Sequence, residues 1–231
     1  MAVWFEFEKG EGARWLGHLD ILRVFERAIR RAHLPVAYSE GFNPRIRIAF
    51  VSALGVGVTG SREPAFLQMA QPADAGAVLE ALNAVLPGGV RLVDAECVDV
   101  VEARRRARSC IWSDFRVVCD FPSPVEDAVG AARSVMAAPS APYRRQRKGQ
   151  VVDVDLRPWI GALEVAPAGA GRVEAFMRLA LLQEGATRPS EVIDLLAERA
   201  PGLMMRRAHR VALVTQESAG EAPIRAQPSE S

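Results

Sequence analysis

Hydrophobic and polar positions set out most of the architecture. Val3, Phe5 and Phe7 alternate with Trp4, Glu6 and Glu8, which predicts a strand over residues 2–8. Leu19, Leu22, Phe25, Ile29 and Ala32 then recur at steps of three and four, the period of a helix, and Ile21, Val24 and Ala28 widen that apolar stripe. Asp20, Arg23, Arg27, Arg30 and Arg31 fall on another face, with Asp20 and Arg23 spaced to pair. Pro35 forces an extended exit, residues 36–38 read as a short strand, and Gly41 with Asn43-Pro44 reads as a turn. Ile46, Ile48 and Phe50 alternate with Arg45 and Arg47 in a strand over 45–50. Residues 64–70 form another strand, 74–86 a helix stopped by Pro87-Gly88-Gly89, and 90–98 a further strand.

The order strand, helix, strand, strand, helix, strand is the ferredoxin-like plan, and it fills residues 1–100. Residues 101–110 carry Arg104, Arg105, Arg106 and Arg108 and read as a basic linker or short helix. A similar order follows: strand 111–121, helix 125–136, a hairpin over 142–156 turning at Lys148-Gly149, strand 172–182, helix 189–200 and strand 204–215. The expected fold class is therefore α+β: two tandem ferredoxin-like domains with antiparallel sheets, at 1–100 and 111–215. Residues 216–231, rich in Glu, Pro, Ser and Ala without periodicity, read as a disordered tail.

Composition removes several function classes. The 231 residues carry 29 Lys and Arg against 28 Asp and Glu, so any nucleic-acid surface must come from local clusters rather than a global basic field. Cys97, Cys110 and Cys119 are too far apart for a CxxC metal or redox motif and hold no CxxxCxxC, so the chain is not itself a radical SAM enzyme and is expected to need no cofactor or metal. No GxxxxGK[ST] or GxSxG occurs. No apolar run reaches membrane-spanning length and no signal-like N-terminus is present, so a cytoplasmic protein without membrane contact is expected.

Candidate chemistry concentrates in residues 14–45. A plain turn does not need the Tyr38, Ser39, Glu40 and Phe42 that surround Gly41, Asn43 and Pro44; a packed hairpin loop is the simpler alternative to a binding loop. Three further basic clusters stand at Arg104–Arg108, at Arg144, Arg145, Arg147 and Lys148 beside Tyr143, and at Arg206, Arg207 and Arg210 with His209. Cations beside aromatics suit phosphate and base-stacking contacts, although each cluster alone also suits a solvated face. His18, Tyr38 and Glu40 are the residues from which an acid–base set could be built.

The runs Leu16-Gly17-His18-Leu19-Asp20, Phe25-Glu26-Arg27-Ala28 and Leu34 through Pro44 resemble the radical SAM-linked (radical SAM-associated) family, a bacterial family whose main domain is of unknown function. Val152 through Ile160 and Thr187 through Val192 extend the resemblance; Arg45 directly after Pro44, and the lack of a Tyr and an Asp around 65–68, depart from it. The resemblance implies an accessory partner of a radical SAM protein; together with the basic clusters it leads to the expectation of a module, without catalytic activity of its own, that binds or presents RNA. Arg14, His18, Asp20, Arg23, Arg27, Tyr38–Pro44, Arg45, Arg144, Arg145, Arg147, Lys148, Asp155, Arg157 and Arg188 are then the expected binding residues. Two alternatives stay open. One is a metal-independent endoribonuclease like those that process CRISPR RNA, whose glycine-rich C-terminal loop has only Gly169-Ala170-Gly171 as a counterpart here. The other is a protein-docking module without nucleic acid.

Overall fold

The computed structural model describes residues 1–147, 149–169, 171–181 and 187–216. Lys148 and nearly all of the expected tail lie outside these residues. The fold is mixed α+β, with five helices among the described residues and antiparallel pairing in every strand register given below. None of these helices is long and apolar enough to cross a membrane. The chain divides into two compact units, Met1–Cys110 and Ile111–Ser231.

In the first unit, β1 (Ala2–Lys9) runs antiparallel to β3 (Val58–Gln68) and β4 (Val90–Val98), and β2 (Ile48–Phe50) pairs antiparallel with β3. Helices α1 (His18–Arg31) and α2 (Ala75–Asn83) supply buried residues to the core on one sheet face. Its centre is aromatic: Phe25 of α1 lies 5.5 Å from Phe5 and 5.0 Å from Phe7, and Phe50 closes on Phe25 at 5.5 Å. Burying Phe25 fully is worth about 1.5–3 kcal/mol and fixes the rotation of α1. Helix α3 (Val100–Ser109) covers part of the other face, where Ala103 packs with Ala2 and Phe66. The basic stretch is thus a helix, capped by Asp99, whose carboxylate accepts from Val101 N (2.7 Å) and Glu102 N (2.9 Å).

Two details of α1 correct the sequence reading. Leu19 was expected inward, but its side chain is 63% exposed. At 3.6 residues per turn it stands about 120° from Phe25, in line with the arginines. At the other end no glycine is available, so His33 takes φ +50°. His33 N donates to Arg30 O (3.2 Å) and Leu34 N to Ile29 O (3.3 Å), the paired closing bonds of a helix C-terminus.

In the second unit the strand order is β10-β5-β9-β8, formed by β5 (Cys110–Asp120), β8 (Ile160–Pro167), β9 (Arg172–Ala180) and β10 (Met204–Thr215). Helix α4 (Val125–Ala137) packs on β8 and α5 (Pro189–Ala197) on β10. Strand β8 is absent from the sequence reading. The predicted hairpin, β6 (Pro142–Arg147) with β7 (Gln150–Asp155), forms a separate two-stranded sheet instead of supplying a strand to the main one.

Phe115, Val117 and Cys119 of β5 share a face with Met177, Ala175 and Val173 of β9 and are all buried. The alternate face carries charge. Asp114 and Arg178 stand directly opposite each other, 1% and 5% exposed, with Arg178 Nε and Nη2 donating to Asp114 Oδ1 (2.7 Å) and Oδ2 (2.8 Å). Removing one partner of a buried pair strands the other, whereas replacing both with apolar groups does not. Asp114→Ala is expected to cost about 3–5 kcal/mol. The double variant Asp114→Leu/Arg178→Met should lose distinctly less, measured by urea unfolding of both against the native chain.

Candidate nucleic-acid interface

The loop after α1 is built outward from β3. Pro35 O accepts from Ala70 N (2.9 Å), Ala37 N donates to Gln68 O (2.9 Å), and Arg47 N donates back to Ala37 O (2.9 Å). Val36 bridges Met69, and Tyr38 bridges Ile46. Ser39 closes the neck twice: its N–H donates to Arg45 O (2.8 Å), and its Oγ accepts from Arg45 N (3.0 Å). Arg47 Nε donates to Tyr38 O (3.1 Å). Gly41, at φ +110°, turns the tip. This bonding holds aromatic rings out in water: Phe42 is fully exposed and Tyr38 is 47% exposed, beside exposed Asn43, Pro44 and Arg45.

The outward face of α1, the helix that precedes this loop, carries Arg23, Arg27, Arg30 and Arg31, all exposed. Asp20 occupies itself locally, accepting from Gly17 N (3.1 Å) at the helix start and from Arg23 Nη1 (3.2 Å). Arg27, Arg30, Arg31 and Arg45 have no ion-pair partner among the described residues. Arg14 is anchored, with Nε donating to Gly57 O (3.1 Å). His18 presents its ring edge-on to Phe50 at 5.6 Å. No hydrogen bond among the described residues joins His18, Tyr38 and Glu40 into an acid–base set, and no three His, Cys, Asp or Glu converge as metal ligands.

Several members of the other basic clusters are occupied by carboxylates. In α3, Arg105 and Arg106 both bind Glu102, and their hydrogen bonds lower its carboxyl to about 2; Arg106 also pairs with Glu96. Arg206 pairs with Asp120. Arg145 forks onto buried Glu191 through two 2.7 Å bonds and lies 5.3 Å from the Trp159 ring centroid. Glu191 also accepts from Arg188 N (2.9 Å), so the Arg188 main chain serves the start of α5. Arg144 lies 3.7 Å from Asp153, with both side chains solvated.

Asp155 accepts from Ala141 N (2.7 Å) and Arg157 N (2.9 Å), which lowers its carboxyl below the ordinary range. Arg157 donates to Ile160 O and Met136 O, both at 3.0 Å. Arg145, Asp155 and Arg157 therefore hold the hairpin to its own unit. Sequence reasoning missed Glu191 as the partner of Arg145; a Glu three residues after Arg188 and two after Pro189 was the available signal.

Tyr143 in the same hairpin donates from its hydroxyl to Asp194 Oδ2 (2.9 Å); burial first, and this bond second, push it up to about 12. A phenol raised above its unfolded value of about 10 stabilises the fold fully below pH ~10, and that contribution is lost as pH rises through about 12. The chain has two tyrosines, so a Tyr38→Phe variant isolates Tyr143. Its phenolate absorbance should rise with a midpoint near 12 when folded and near 10 in denaturant; a folded midpoint near 10 contradicts this environment for Tyr143.

Comparison with known proteins gives fold and family. Two solved structures are similar at TM-score 0.52: a Cbf5-Nop10-Gar1 complex, at 10% identity over 90% of this chain and 49% of that one, and an H/ACA RNP bound to a substrate RNA containing 2'-deoxyuridine, at 9% identity over 91% and 47%. The chain thus spans about half the length of each, and at such identity the likeness is one of fold alone. No curated protein matches the sequence. A family model does match, over residues 3–189, and on that match the chain belongs to the bacterial family described as "Uncharacterized protein conserved in bacteria (DUF2344)".

Proposed function

We propose that this protein is an RNA-binding module that presents RNA to a radical SAM modifying enzyme. The observation that carries the RNA reading is the 38–47 loop: a fully exposed Phe42 and a half-exposed Tyr38, held out by a hydrogen-bonded neck, with an exposed Arg45 that has no ion-pair partner among the described residues. Aromatic faces accept bases without sequence preference, and guanidinium groups supply the phosphate contacts. The likeness in fold to a solved H/ACA RNP bound to a substrate RNA supports the same reading. The radical SAM partner rests on the residue resemblance at 16–20 and 34–44. Each unit is read as a ferredoxin-like domain, supported by the pairing order β4-β1-β3-β2 in the first and β10-β5-β9-β8 in the second.

Binding of a fluorescent single-stranded RNA across a salt series tests the RNA reading. Changing Arg27, Arg30 and Arg45 to Ala removes three phosphate contacts and should lower the slope of log K against log salt by about 2. Phe42→Ala should weaken binding about tenfold at every salt concentration and leave the slope unchanged. Native protein without salt-dependent RNA affinity contradicts the proposal. Co-purification of a radical SAM protein from the source cells tests the partner separately, and its absence removes that half of the reading.

A further inference from the structure

At the opposite end of α1 from the loop, the chain passes through a 3-10 turn at Glu11–Ala13 and enters the helix at Gly17. Trp15 stands in this connection, 70% exposed. Its indole is nevertheless held in place. The Arg14 guanidinium lies 4.8 Å from the ring centroid, and Arg14 is itself fixed by exchanging hydrogen bonds with Gly57 at 3.1 and 2.9 Å. A Cβ at Gly57, where φ is +81°, would stand 3.7 Å from the ring, so backbone passes along its edge. Leu19 and Val56, 63% and 62% exposed, extend the apolar surface at the helix start. An aromatic ring backed by a cation and open to solvent is a stacking platform for a planar base.

Helix α1 lies between this platform and the loop in the chain. Stepping by four from Leu19 leads to Arg23, Arg27 and Arg31, all exposed, with Glu26 at the flank. The helix has 14 residues, so the stripe is about 20 Å long, roughly six nucleotides at a stacked rise of about 3.4 Å. Bases can stack on side chains only when splayed from a duplex, which favours a single strand.

We infer that Trp15 is a second base-stacking position and that the α1 arginines form the phosphate track joining it to Phe42. The ligand is then a single-stranded RNA of about six nucleotides or more lying along α1. This inference rests on the RNA-binding reading above and names the class and footprint of its ligand.

The test compares oligouridylates of about four and about twelve nucleotides on the full chain with Trp15 native, changed to Leu and changed to Phe. Trp15→Leu is expected to weaken the longer oligomer about tenfold and the shorter one by about twofold at most; Trp15→Phe should retain native affinity. Because Trp15 is exposed, thermal unfolding should be the same for all three. A longer oligomer that binds Trp15→Leu as tightly as native protein overturns the inference and leaves the RNA-binding reading standing. Native protein that binds neither oligomer overturns both. Unchanged RNA affinity together with loss of a co-purifying protein in Trp15→Leu assigns the patch to protein docking and overturns the track.

Discussion

The burial of Phe25 among Phe5, Phe7 and Phe50 is the constraint from which the candidate surface follows. Once that ring is in the core, the helical period leaves no choice about the opposite side of α1. Arg23, Arg27 and Arg30 must face water, and Leu19 with them. The same packing places Phe50 under His18, which gives that residue an edge-on contact with a core ring. The loop is fixed in turn by Gln68 of β3 and Ala70 just beyond it, so its aromatic tip is carried by the sheet.

Nearly balanced charge makes the distribution of ion pairs decisive. With 29 basic and 28 acidic residues, a basic cluster in the sequence says little until its partners are known. Glu102 and Glu96 take up Arg105 and Arg106, Glu191 takes up Arg145, and Asp120 takes up Arg206. Each of these pairs neutralises local potential. On α1 and its following loop, Arg27, Arg30, Arg31 and Arg45 keep their charge without an ion-pair partner among the described residues.

How far the sequence could be read follows from the range of the interactions. The first unit is built from local periodicities, so β1, α1, α2 and β4 were visible, as was the loop between Tyr38 and Pro44. The His33 turn was not, because a helix end normally announces itself with glycine. In the second unit, β8 begins Ile160-Gly161 beside the ring of Trp112 and ends at Pro167, a pattern without clear alternation. The role of Arg145 depends on Glu191, 46 residues away, and that of Asp114 on Arg178, 64 residues away. Spacing within a segment carries no information about such pairs. Trp15 was passed over for a related reason: nothing in a single sequence distinguishes an exposed indole from a buried one.

Ultraviolet crosslinking of bound RNA in the source cells, followed by mass spectrometry of the crosslinked peptides, tests the central claim most directly. The account predicts RNA adducts on Tyr38 or Phe42 and on the peptides of α1. Adducts confined to the 142–155 hairpin, or no adduct on this chain at all, would contradict it.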